Sequence, residues 1–248
     1  MMDIKQFLDS TYLKLPSQSG LTEEQTFEEV KKITQEAIDN QFCLVMIRPE
    51  YVKPVKEIIT KANSGVKVGT VIGFHEGTYP VEEKLNEARK AIEDGVDELD
   101  YVINYEAFKE GRIDVVKEEF ISGTSLGLNA GKVVKWIIEI AALTDEQIRS
   151  ICTSFSTWAQ ENFKKEDFGK IFVKSSTGFY KTEGGKPIGA TFPAIEIMLK
   201  YSDPLPVKAA GGVRTYDEAV RMIELGVKRI GTSSAKALSE KSEIKGSY

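Results

Sequence analysis

Hydrophobic positions along this chain fall into short runs, and amphipathic stretches of helical spacing separate the runs from end to end. The runs lie at 42–47, 66–74, 99–103, 133–140, 171–173, 205–210 and 227–231, with a shorter candidate at 7–11. Several are β-branched and nearly continuous, which suits strands buried on both faces of a parallel sheet. The helices between them mark their own starts. Thr22-Glu23-Glu24-Gln25, Thr144-Asp145-Glu146-Gln147 and Thr215-Tyr216-Asp217-Glu218 are capping boxes, a threonine followed three residues later by Gln or Glu. Each leads into apolar residues at helical spacing, such as Phe27, Val30 and Ile33 in the first and Ile148, Ile151 and Phe155 in the second.

Successive runs recur at intervals of roughly 25–40 residues, the span of a βα unit with its loops. No Pro/Gly/Ser-rich linker interrupts them. The pattern predicts a single α/β domain over residues 1–248, folded as one (β/α)8 TIM barrel, with a polar and flexible tail at 241–248. A doubly wound open sheet is the alternative. It would usually carry a glycine-rich turn after its first strand, where this chain has Ser17-Gln18-Ser19-Gly20.

Composition narrows the function classes. The net charge of −5 argues against a nucleic-acid footprint. It also means that an anionic substrate must be captured locally, by backbone N–H groups or a few lysines. Cys43 and Cys152 have neither metal-ligand spacing nor a disulfide framework, and both are expected to be buried and inert. No apolar stretch approaches the ~18 residues of a membrane span. A cytoplasmic protein without membrane association is therefore the expectation. A single histidine, His75, leaves no basis for a histidine metal cluster or a triad elsewhere.

The candidate chemistry lies in two lysines placed inside apolar runs, in Ile171-Phe172-Val173-Lys174-Ser175-Ser176-Thr177-Gly178 and Leu205-Pro206-Val207-Lys208-Ala209-Ala210-Gly211-Gly212. Lysine is almost never buried unpaired, and desolvation favours its neutral amine, a nucleophile toward carbonyls. Active-site residues of barrels sit at the C-terminal strand ends, and neighbouring strands are ~5 Å apart. Two lysines at equivalent heights would therefore repel, and one would lose its proton more easily. The plain structural alternative is a pair of strand-end lysines reaching to solvent.

Lys135 is a third charge in an apolar run. Glu139, four residues on, would share its face, so a Lys–Glu ion pair and a catalytic role both stay open. Asp100, at the start of the fourth run, could move protons in Schiff-base chemistry or merely satisfy a lysine. Asp97 and Glu98 fall in the preceding helix-to-strand connection and are expected to be solvated. Gly211-Gly212 and Gly231-Thr232-Ser233-Ser234 end the last two strands, where barrels often hold phosphate; Ser233 or Ser234 could equally be an ordinary N-cap.

These segments, with Leu8-Asp9-Ser10-Thr11 and Arg229-Ile230-Gly231-Thr232-Ser233-Ser234, resemble the deoxyribose-phosphate aldolase family of class I aldolases over essentially the whole chain. The resemblance implies reversible cleavage of 2-deoxy-D-ribose 5-phosphate to acetaldehyde and D-glyceraldehyde 3-phosphate. It implies no cofactor and no metal, small-molecule partners only, and a homodimer as a common assembly. It makes Lys174 the Schiff-base lysine, Lys208 the neighbour that lowers its pKa, and Asp100 the proton shuttle. Lys135, Asp9 and Thr11 match supporting residues, and Gly178, Gly211, Gly212, Ser233 and Ser234 match the phosphate cradle. Tyr248 matches a terminal tyrosine that assists proton transfer in some members. The chain departs from the family's pattern at Ser10, at His75, at Met46 where many members carry a cysteine, and in a longer 179–189 loop that could act as a lid. Another lysine aldolase acting on a different phosphosugar, and a binding barrel without turnover, are the alternative functions.

Overall fold

Each of the eight apolar runs forms a strand: β1 (Leu8–Thr11), β2 (Leu44–Ile47), β3 (Lys67–Ile72), β4 (Glu98–Val102), β5 (Val133–Ile137), β6 (Ile171–Lys174), β7 (Val207–Ala210) and β8 (Arg229–Thr232). The helices are α1 (Pro16–Ser19), α2 (Glu23–Asn40), α3 (Val52–Lys61), α4 (Val81–Glu93), α5 (Tyr105–Lys109), α6 (Ile113–Asn129), α7 (Asp145–Asn162), α8 (Phe192–Ser202), α9 (Tyr216–Leu225) and α10 (Ala235–Glu240). The computed structural model describes residues 2–182 and 185–241. The strands pair in parallel in sequence order, and β8 returns to β1 through the register Asp9↔Gly231, so the sheet is a closed barrel. Closure excludes the open doubly wound sheet. The fold is a (β/α)8 barrel.

The three capping boxes form as the sequence predicts. Thr22, Thr144 and Thr215 accept from the N–H of Gln25, Gln147 and Glu218, and each of those side chains reaches back to the capping residue's own N–H. Orphan donors at the starts of α2, α7 and α9 are thus satisfied locally. Among the described residues, no helix is long and apolar enough to cross a membrane.

Strand alternation sorts the side chains into two layers. In β4, Leu99 and Tyr101 face outward, and the Tyr101 ring stacks on Trp136 of β5 at 4.7 Å beneath α6. The helix comes this close because Gly123 and Gly127 face the sheet. A Cβ at either would lie 2.8 Å from Trp136 or 2.3 Å from Val134. Phe120, Trp136 and Phe155 fill this outer layer, and burying each such ring stabilises the fold by roughly 1.5–3 kcal/mol. The opposite face of the same strands turns Glu98, Asp100 and Lys135 into the barrel.

Two strands stop two or three residues before the pattern predicts. β3 stops at Ile72 because Gly73 turns to φ 64°, and β5 stops at Ile137, not at 140. Beyond it Glu139 is left-handed at φ 55°, and a 3-10 turn spans Ile140–Ala142. Hydrophobicity continues past the end of the strand because these residues remain buried in the loop.

Candidate active site

The barrel interior holds a continuous set of ion pairs. Lys174, the last residue of β6, places Nζ 2.8 Å from Asp100 Oδ2. Lys208, its register partner on β7, lies 3.0 Å from the same oxygen and 2.5 Å from Asp9 Oδ2. Lys135 contacts Asp100 Oδ1 at 2.5 Å and Glu98 Oε2 at 2.6 Å. Arg229 completes the set, pairing with Asp9 at 3.0 Å and with both oxygens of Glu98. Burial is nearly complete: Asp9, Asp100, Lys135 and Lys208 are 0% exposed and Lys174 is 4% exposed.

The structure corrects four sequence expectations. Lys135 pairs with Glu98 and Asp100 and not with Glu139, because β5 ends before Glu139 can share its face. Glu98 is buried, not solvated, since it is already the first residue of β4 and alternates inward with Asp100. Asp97 is half-buried and pairs with Lys56 at 2.6 Å. Asp100 lies at the middle of its strand, not the start.

The electrostatics follow from the count. Four cations, Lys135, Lys174, Lys208 and Arg229, face three carboxylates, Asp9, Glu98 and Asp100. The cluster balances when one cation is neutral. Burial, with the Lys208 ammonium beside it, pushes the Lys174 amine down to about 8 even though Asp100 opposes the shift. Burial acts on Lys135 in the same sense, but Asp100 and Glu98 outweigh it and hold that ammonium above the ordinary lysine range. For Asp100, burial favours the neutral acid, yet Lys135, Lys174 and Lys208 keep the carboxyl well below the carboxylate range. Asp9 is held down in the same way, by Arg229 and Lys208.

Beyond the strand ends lies a cavity of about 710 Å³. Gly178, Gly211, Gly212, Ser233 and Ser234 all line it, so the five predicted cradle residues meet in one place. Gly211 and Gly212 have φ 66° and 76°, a region that glycine enters at no steric cost. Ser234 occupies the N-cap position of α10, but its hydroxyl makes no capping bond. Gly189, which the sequence reading passed over, also lines the cavity, and its backbone abuts Gly211 and Gly212 so closely that a Cβ would come within 2.5 Å. Ala190 N–H then bonds the Ala210 and Gly211 carbonyls, which ties the end of the 179–189 loop to β7.

The remaining expectations separate. Thr11 turns its hydroxyl to the Asp9 carbonyl at 2.9 Å, so it braces its own strand. His75 stands in the loop after β3, stacked on Phe179. Tyr248 lies outside the described residues. Cys152 is buried, whereas Cys43 is only half-buried, because it sits one residue before β2 and touches Arg229. Burial still pushes its thiol up to about 11. Met46 packs inside β2. Among the described residues no group of His, Cys, Asp and Glu side chains could hold a metal ion. Arg229 and Glu98 were the site residues missed. Both had a signal, Arg229 as a charge inside an apolar run and Glu98 as the residue two before Asp100.

No family model matches the chain. Curated relatives do. A deoxyribose-phosphate aldolase from Thermococcus gammatolerans is 40% identical over 240 residues, 96% of each chain. Another, from Caldicellulosiruptor saccharolyticus, is 39% identical over 95% of this chain and 96% of its own. Among solved structures, a tetrameric deoxyribose phosphate aldolase from Aeropyrum pernix superposes with a TM-score of 0.75 at 31% identity, covering 96% of this chain and 89% of that one. Fold and relatives together define a (β/α)8-barrel aldolase. The chain belongs to the deoxyribose-phosphate aldolase family.

Proposed function

We propose that this chain cleaves 2-deoxy-D-ribose 5-phosphate reversibly to acetaldehyde and D-glyceraldehyde 3-phosphate through a Schiff base on Lys174. The observation that carries the reading is a buried lysine, pushed down to about 8, at the end of the strand whose following turn reaches the glycine-lined cavity. A free amine at neutral pH is what addition to an aldehyde requires.

On this reading the open-chain sugar lies with its phosphate among Gly178, Gly211, Gly212, Ser233 and Ser234 and its aldehyde at Lys174. The amine adds to C1, and loss of water from the carbinolamine leaves an iminium. That cation takes the place of the ammonium against Asp100, and the carboxylate stabilises it electrostatically. Deprotonation of the C3 hydroxyl then breaks the C2–C3 bond, and the electron pair flows into the iminium to give an enamine and D-glyceraldehyde 3-phosphate. A proton returned to C2, followed by hydrolysis, releases acetaldehyde and restores the amine. Asp100, hydrogen-bonded to the nitrogens of Lys135, Lys174 and Lys208, is the group proposed to pass these protons, directly or through water. Lys208 and Lys135 keep it ionised, and Asp9 holds Lys208.

Borohydride added with acetaldehyde should leave a reduced ethyl adduct on Lys174, located by peptide mass spectrometry, and Lys174→Ala should abolish it. An adduct on no lysine would falsify the Schiff-base route. A panel of phosphorylated aldoses with and without the 2-hydroxyl tests the substrate separately.

A further inference from the structure

Glu139 is a buried carboxyl that the ion-pair cluster leaves out. It is 0% exposed, and its left-handed backbone is a conformation that a non-glycine residue keeps only where its surroundings impose it. Its flanking amides show what imposes it here. Ile138 N–H bonds the Lys174 carbonyl at 3.0 Å, and Ile140 N–H bonds the Ser175 carbonyl at 2.9 Å. Between them the Glu139 side chain reaches the next step of the same turn. Its Oε2 accepts from Thr177 N–H at 3.0 Å and from the Thr177 hydroxyl, which itself accepts from Phe179 N–H at 3.0 Å.

Residues 138–140 therefore hold the segment 174–179 by four hydrogen bonds at three of its residues, Lys174, Ser175 and Thr177. At one end of that segment is the Lys174 amine. At the other is Gly178, left-handed at φ 82° and part of the cavity wall. The Thr177 and Phe179 amides are bonded by Glu139 directly or through the Thr177 hydroxyl. A turn deprived of those bonds would relax and carry Gly178 with it.

We propose that Glu139 is a positioning residue that fixes the span between the Lys174 amine and the phosphate-holding turn, and so sets the preference for phosphorylated over phosphate-free aldehydes. The inference rests on the proposed assignment of the glycine-lined cavity to phosphate. Its role needs an acceptor oxygen and not a charge. Burial, against the Thr177 donors, pushes the carboxyl up to about 7, so near neutrality about half the molecules carry no charge there to repel a bound dianion.

The test compares the unaltered protein with Glu139→Gln, Glu139→Ala and Thr177→Val, each checked for folding by circular dichroism. Inorganic phosphate is titrated calorimetrically, and steady-state rates are measured on 2-deoxyribose 5-phosphate and on 2-deoxyribose. Glu139→Ala is expected to weaken phosphate binding and raise KM for the phosphorylated sugar by about tenfold, the scale of one buried hydrogen bond. Its kcat/KM on 2-deoxyribose should stay within about twofold. Thr177→Val should move the same quantities in the same direction and stands in if Glu139→Ala does not fold. Glu139→Gln, which keeps the acceptor, should restore them. Equal losses on both sugars with phosphate binding unchanged would overturn the proposal, as would a Glu139→Gln variant as weak as the alanine. If the unaltered protein binds phosphate yet turns over neither sugar, the functional reading fails while the binding arm still decides the role of Glu139. No phosphate binding by the unaltered protein overturns both.

Discussion

A lysine amine at about 8 is free in roughly one molecule in ten at pH 7, against roughly one in three thousand at the ordinary value near 10.5. Burial and Lys208 produce that difference together, and Lys208 also draws on the Asp100 oxygen that would otherwise attend Lys174 alone. The rate of borohydride trapping should therefore rise with pH through about 8 and level above it. In Lys208→Leu the midpoint should move up by about one unit, making trapping at pH 7 about tenfold slower. A midpoint that stays put would sink the assignment of Lys208. Arg229 acts further from the amine. It is the shared partner of Asp9 and Glu98, and Arg229→Met leaves both as buried anions without it. The expected loss is about 3–5 kcal/mol, read in a thermal melt as a fall of roughly 6–20 °C. A melt that barely shifts would show that Asp9 and Glu98 do not depend on it.

The turns that follow β6 and β7 shape the cavity beyond the strand ends. Gly212 can take no side chain: at φ 76° its Cβ would meet the Ala190 carbonyl at 2.4 Å. At Gly211, φ 66° would strain an alanine, but the nearest neighbour of its Cβ would lie at 3.3 Å. Gly212→Ala should thus raise KM for a phosphorylated substrate by about tenfold or more, and Gly211→Ala should do so less. The reverse order would mean that packing against Ala190 does not shape the cavity. At this scale the sequence was most readable where the signal is local. A capping box needs only a threonine and a Gln or Glu three residues on, and all three helices start where that spacing says. Strand ends were less readable, because Glu139 and its neighbours stay buried after the strand has stopped, and burial is what an apolar run reports.

At the scale of the molecule, β1 closes on β8, so the first and last strands complete each other's hydrogen bonding and neither half of the barrel is finished alone. Unfolding should accordingly be a single transition. Circular dichroism, which reports all the helices, should coincide with tryptophan fluorescence, which reports Trp136 and Trp158 beside Phe120. Separated midpoints would argue for two folding units. The sequence by itself determined the order of strands and helices, the barrel, the two lysines at matching strand positions and the small residues that end strands 7 and 8. All of these follow from short-range periodicity and from the cost of a charge inside an apolar run. Only the tertiary structure decided the partners. Asp9, Asp100 and Glu98 lie on strands far apart in the chain from Lys208, Lys174 and Arg229, and an ion pair leaves no mark on the spacing of either member. Closure of the barrel buries four cations against three carboxylates, and burial together with that imbalance pushes the Lys174 amine down to about 8.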